Sequence, residues 1–236
     1  MGRRPRSFGK YDDSGAYHWA WCDRRSRSYE PAAEARFAVL AKRTVGAGRI
    51  LDIGCGDGYL MSLASGRCET VLGVDTERTG IRLGADLLKD YANCSLALAS
   101  CHDLPFADGS FDIIVLADVI EHLESPASCL AETRRVLAAD GRSLLTTPKW
   151  RPGKMWDPEH HWKEYKPREL VELLEQHYAQ VTLSFFLSAA WWQVRRRLGK
   201  ASLRGFARYL YNPFMREGSE PDKFNHILAV CERPRK

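Results

Sequence analysis

From residue 49 onward the chain alternates short apolar runs with segments of helical period. RILDI (49–53), ETVLGVD (69–75), CSLALAS (94–100), FDIIVLAD (111–118) and RSLLTTP (142–148) read as strands. Between them, YLMSLAS (59–65), TGIRLGADLLKDY (79–91) and SPASCLAETRRVLA (125–138) read as helices, the last with Ser125 at its N-cap and Pro126 in its first turn. FDIIVLAD is apolar without strict alternation, the pattern of a strand covered on both faces. Strand–helix alternation with right-handed crossovers predicts an α/β fold, a doubly wound, mostly parallel sheet.

The flanks are less regular. Residues 1–16 are polar, Gly- and Arg-rich, and read as loose. Residues 17–44 turn helical, with Pro31 opening a helix that sets Phe37, Leu40 and Ala41 on one face. Beyond residue 148 come a Trp- and His-rich loop (149–166), a helix opened by Pro167, a strand at 180–188 and a last strand at 224–232. The stretch 189–223 has room for two short helices, because Gly199 and Gly205 argue against a continuous one. We expect one domain over 1–236: a helical lead (1–45), a core (46–148) and a second half (149–236) carrying the insert 189–223.

Composition narrows the class. At 44% hydrophobic and 28% charged the chain is ordinary for a soluble globular protein. Its seven cysteines include no C-x-x-C, so neither a zinc ribbon nor a thioredoxin-like site is indicated, and the odd count suits a reducing compartment. The basic N-terminus lacks the apolar core of a secretory signal. The longest apolar stretch (181–194) falls short of the roughly 18–20 residues that span a bilayer. A cytoplasmic location is therefore expected. Net charge is +5, and residues 189–223 hold eight Lys/Arg against three Asp/Glu, so one local surface carries the excess.

The most informative segment is ILDIGCGDGYL (50–60). In a doubly wound sheet, ligands sit beyond the carboxyl ends of the strands, where this loop lies. Glycine lets the backbone approach a ligand, and the adjoining helix N-terminus offers N–H groups to an anion. Gly54, Gly56 and Asp57 thus belong to a cofactor cradle. No Walker lysine is present, and the spacing is G-x-G-x-G, not the dinucleotide G-x-G-x-x-G. Asp52 before the loop suits a cofactor bearing an ammonium group. Asp75 stands where an acid accepts ribose hydroxyls.

ILDIGCGDGYL, GVD, HDLPFADGSFDIIVLADVIEHL and RRVLAADGRSLLTTP resemble the successive motifs of class I S-adenosylmethionine-dependent methyltransferases over about residues 49–148. The resemblance implies that the Gly54–Gly58 loop cradles the methionyl part and Asp75 binds the ribose. It implies that Asp103 and the Leu104 N–H meet the adenine, and that Ala117 and Asp118 line the floor near the sulfonium.

Three further features resemble the ubiquinone-biosynthesis O-methyltransferase group. Arg36 in YEPAAEARF matches an arginine that helps hold the cofactor's carboxylate in that group. Asp118-Val-Ile-Glu121-His122 matches a Glu-x-x-Glu-His implicated in binding a divalent cation, with Asp in place of the first Glu. DPEHHWKEYKPREL (157–170) matches a His-x-Trp-x-x-Phe…Pro-x-Glu-Leu segment, one residue shorter before the proline. The insert 189–223 has no counterpart there.

The resemblance implies O-methylation of a small molecule or a glycan- or lipid-linked precursor. An oxygen acceptor benefits from a base, and His160 and His161 are the candidates, with His122 next. N- or C-methylation, a non-catalytic cofactor-binding module and an NAD-dependent oxidoreductase are the alternatives. The insert reads as a lid, a basic amphipathic segment for an anionic membrane, or, least favoured, a nucleic-acid contact.

Overall fold

The computed structural model describes residues 10–153, 157 and 159–235. Seven strands form one sheet: β1 (Ala47–Ile53), β2 (Cys68–Asp75), β3 (Cys94–Leu98), β4 (Phe111–Ala117), β5 (Leu137–Pro148), β6 (Tyr178–Ser188) and β7 (Phe224–Pro234), in the order β3-β2-β1-β4-β5-β7-β6. The first five pair in parallel, while β7 lies antiparallel between β5 and β6. The sheet reverses direction of winding at β1 and β4, whose carboxyl ends define the switch point.

Neighbouring residues within one strand serve opposite cores. Ile50, Ile113 and Leu144 pack on one face with α3 (Pro31–Ala41) and α4 (Tyr59–Ser65), together with Leu88 beyond the end of α5 (Arg78–Leu87). Leu51, Ile114 and Leu145 pack on the other, with α6 (Pro126–Val136) and α7 (Pro167–Leu174). This two-sided burial explains the unbroken apolar runs, each fully buried large side chain contributing about 1.5–3 kcal/mol.

Two expectations change. Lys10–Ser14 is not loose but forms α1, with α2 (Tyr17–Cys22) directly after it. Thr79 Oγ1 donates to Asp12 Oδ1 at 2.7 Å and Lys10 Nζ meets Asp157 at 3.1 Å, so side-chain pairing holds what local propensity did not announce. Residues 1–9, also read as loose, lie outside the described residues, as do 154–156 and 158 of the Trp- and His-rich loop. The helix read over 79–91 ends at Leu87. Among the described residues no helix is long and apolar enough to cross a membrane.

Candidate active site

Beyond the carboxyl ends of β1, β2, β4 and β5 lies a cavity of about 1220 Å³. Its floor begins at Asp52, near the end of β1, which is 2% exposed and has a side-chain oxygen, Oδ1, with no hydrogen-bond partner among the described residues. Burial, then the nearby Asp75 and Asp57, push its carboxyl up to about 8. Such a group is poised to receive a cationic donor.

The glycine loop comes next. Gly54 has φ +72°, and a Cβ there would stand 2.5 Å from Val119 Cγ2. Gly56 has φ +54°, and its Cβ would collide with the Tyr11 hydroxyl. The Gly56 N–H donates to Asp75 Oδ2 at 2.9 Å and the Glu77 N–H to Oδ1 at 2.8 Å. Burial raises the Asp75 carboxyl above its ordinary value. Gly54, Asp52 and Asp75 line the cavity. Asp57 points away from it: its buried carboxylate pairs with the His18 backbone N–H and ring, while Trp19 Nε1 donates to its carbonyl at 2.9 Å.

Arg36 on α3 crosses the cavity to Asp118, Nη1 to Oδ2, at 2.6 Å. Asp118 also accepts from Thr146 Oγ1 at 2.9 Å and lies 3.5 Å from His226 Nε2. Burial alone would raise this carboxyl, but His226, Arg36 and Thr146 hold it well below the usual carboxylate range. Asp118 sits at φ +55°, a left-handed conformation uncommon outside glycine.

The third wall is imidazole-rich. Glu121 and His122 lie on a single 3-10 turn, Ile120–His122. Glu121 is fully buried; Thr147 Oγ1 donates to its Oε2 at 2.9 Å, and its Oε1 has no hydrogen-bond partner among the described residues. Burial, then Asp118, push the Glu121 carboxyl well above its ordinary value. Burial lowers His122 to about 4, and its Nδ1 lies 3.0 Å from the His160 carbonyl. The His161 ring meets that of His122 edge-on at 4.8 Å, and its Nδ1 lies 3.0 Å from Glu164 Oε1. His160 Nδ1 pairs with Asp157, itself joined to Lys10.

Of the residues singled out in the sequence, the cavity brings together Arg36, Asp52, Gly54, Asp75, Ala117, Asp118, His160 and His161. It does not bring in Asp103 or Leu104. Asp103 is exposed, and the Leu104 N–H is committed to Glu132 Oε2 at 2.8 Å; Cys101 and His102 line that corner instead. Asp118 does not join Glu121 and His122 as a cation ligand set, because Arg36 and His226 occupy it. The ligand atoms that do gather, within 4.8 Å of one another, belong to Glu121, His122 and His161. His226 and Glu164 escaped the sequence reading, His226 because only sheet pairing carries it to Asp118. Glu164 had a legible signal, since it stands three residues after His161.

Residues 51–145 match the family described as a methyltransferase domain. Over these residues the chain is similar to that family. The chain is 35% identical over 127 residues to the ubiquinone/menaquinone biosynthesis C-methyltransferase UbiE of Geotalea uraniireducens, covering 48% of this chain and 52% of that protein. It thus spans about half the length of the curated relatives it matches. The fold of PH0226 from Pyrococcus horikoshii superposes with a TM-score of 0.67 at 18% identity, over 97% of this chain and 100% of that one. Phosphoethanolamine N-methyltransferase 2 of Haemonchus contortus, solved with S-adenosyl-L-methionine, superposes with a TM-score of 0.69 at 16% identity, over 96% of this chain and 58% of that one. The matched segment begins inside β1 and ends inside β5, and it holds the glycine loop, Asp75 and Asp118.

Proposed function

We propose that the chain is an S-adenosylmethionine-dependent methyltransferase that O-methylates a small molecule or a glycan- or lipid-linked precursor. The observation that carries the cofactor assignment is the buried Asp52 Oδ1, without a hydrogen-bond partner among the described residues, beside Gly54 and Asp75 at the switch point of the sheet. The residues present fit that cofactor. Asp52 would take its ammonium group and Asp75 its ribose hydroxyls. Arg36 spends one donor on Asp118 and keeps others for a carboxylate. When bound, the cofactor supplies an activated methyl group. The chain's own contribution is to align the acceptor and exclude water.

His161 is the base we assign. A carboxylate only accepts, so Glu164 fixes the His161 proton on Nδ1 and leaves Nε2 to receive the acceptor's proton. Methylation at carbon is the second reading, favoured by the UbiE likeness; it needs the same base. A divalent cation held by Glu121, His122 and His161 is the other use of these imidazoles, and the response of turnover to a chelator separates the two.

The first test is calorimetric titration with S-adenosylmethionine, its demethylated product and NAD in parallel. Micromolar binding of the first two, and not of NAD, is expected. Binding of NAD alone would overturn the reading.

A further inference from the structure

Trp191 and Phe206 stack, with ring centroids 6.0 Å apart and planes 20° from parallel. Fifteen residues of straight helix would separate them by about 22 Å. The element α8 (Ala189–Tyr209) therefore turns back on itself, and the turn is Gly199, at φ +81° and ψ +161° with open space around it. The insert between β6 and β7 is thus a pair of short helices, not one rod.

The first helix faces inward. Trp192, Arg196 and Gly199 line the mouth of the cavity, and Trp192 packs on Phe214. The second is tied to the lead: Arg204 and Arg208 donate to the carbonyls of Arg27 and Ser26, at 3.0 and 2.7 Å. Its outer face and the turn at its end are exposed. Phe206 is 40% accessible, Tyr209 79%, Leu210 73% and Tyr211 54%, so half of the exposed large apolar side chains among the described residues fall within six positions. Residues 189–216 hold seven Lys/Arg and no Asp or Glu, and Arg196, Arg197 and Arg216 are exposed.

We propose that this helical pair and the Phe206–Tyr211 apron form a docking surface for an anionic lipid membrane. Two observations select that occupant. The charge is of one sign, which complements anionic headgroups. The exposed side chains are two tyrosines, a leucine and a phenylalanine, the amphipathic and apolar types that enter the headgroup boundary. Depth is limited to that boundary, since no described helix is long and apolar enough to cross. The surface adjoins the cavity mouth through Trp192 and Arg196. The proposal goes beyond methyl transfer and does not depend on it.

The test is co-sedimentation of the full chain with phosphatidylcholine vesicles, alone or with about a third phosphatidylglycerol, at low and high salt. A single-stranded oligonucleotide runs as a parallel ligand. Binding to the anionic vesicles only, released by salt, is expected. The Arg197→Gln/Arg216→Gln variant is expected to lower partition by roughly tenfold or more. The Tyr209→Ser/Leu210→Ser/Tyr211→Ser variant is expected to lower it too while keeping the wild-type melting curve. No vesicle binding at low salt would overturn the proposal. So would equal binding to neutral vesicles, binding to the oligonucleotide alone, or wild-type partition by both variants.

Discussion

The Asp57 carboxylate, buried under the glycine loop, is gripped twice by one residue: the His18 backbone N–H and its ring Nδ1 each lie 3.0 Å from a carboxylate oxygen. This pair fastens the N-terminal lead over the loop, where the Tyr11 hydroxyl occupies the space a Gly56 side chain would need. Asp57 is therefore a clasp, and its link to a cofactor runs through the lead. Asp57→Ala is expected to cost about 1–3 kcal/mol of stability, because it orphans buried donors. It is also expected to weaken S-adenosylmethionine binding about tenfold or more by loosening one wall of the cavity. Urea denaturation and calorimetry measure the two effects; wild-type affinity in a folded Asp57→Ala protein would mean the lead does not shape the site.

Asp52 is expected to make cofactor binding pH-dependent. Its carboxyl is near 8 when folded, against about 3.9 in an unfolded chain. Between those values the folded state holds a proton that the unfolded state has lost, so this group's contribution to stability falls as pH rises from about 4 to about 8 and is flat above. A bound ammonium group would favour the ionised form and expel the proton. Affinity for S-adenosylmethionine should thus climb between about pH 6 and about pH 8, with proton release visible as a buffer-dependent binding enthalpy. Asp52→Asn should abolish that slope, weaken binding and flatten the stability profile. A pH-independent affinity in the wild type would remove the assignment.

His161 and Glu164 should separate chemistry from binding. With a responsive acceptor, His161→Ala is expected to lower kcat by roughly 10²–10⁴ while cofactor affinity stays within about twofold. Glu164→Gln should give a smaller loss, since an amide can still accept the Nδ1–H. Turnover is expected to survive a chelator. Loss on chelation, restored by one divalent ion, would instead make Glu121, His122 and His161 a metal site.

Arg36 and Asp118 form a half-buried ion pair at the cavity edge. Removing only the cation leaves a half-buried carboxylate beside His226 and Thr146. Arg36→Met is expected to destabilise by about 1–3 kcal/mol, and Arg36→Met with Asp118→Asn by less. A denaturant titration of the two variants and the wild type measures this. Equal losses would show that the carboxylate left without Arg36 carries no penalty.

The class of fold was legible because it rests on local signals. Apolar runs such as Ile113–Leu116, punctuated by Gly54, Gly56 and Pro126, report strands, turns and helix starts from neighbours in sequence. Asp52, Gly54 and Asp75 were legible for the same reason: strand ends in a parallel sheet all open on one side, so each strand's last residues face the same crevice. The break at Gly199 was equally visible.

The features that escaped the sequence depend on partners far along the chain. Nothing near residue 12 predicts a helix; Thr79 and Asp157 supply the contacts that hold it. Asp103 and Leu104 carry the right residue types, but Glu132 takes the Leu104 N–H and the cavity is lined by Cys101 and His102. Asp118, Glu121 and His122 are neighbours in sequence, yet a left-handed turn at Asp118 hands its carboxylate to Arg36 and His226 and sends Glu121 and His122 toward His161. Local pattern thus determined the sheet, the loop and the acids at its strand ends. Only the packing of distant segments decided which donor each buried acid meets, because a carboxylate's partner and its charge are set by burial and proximity in space.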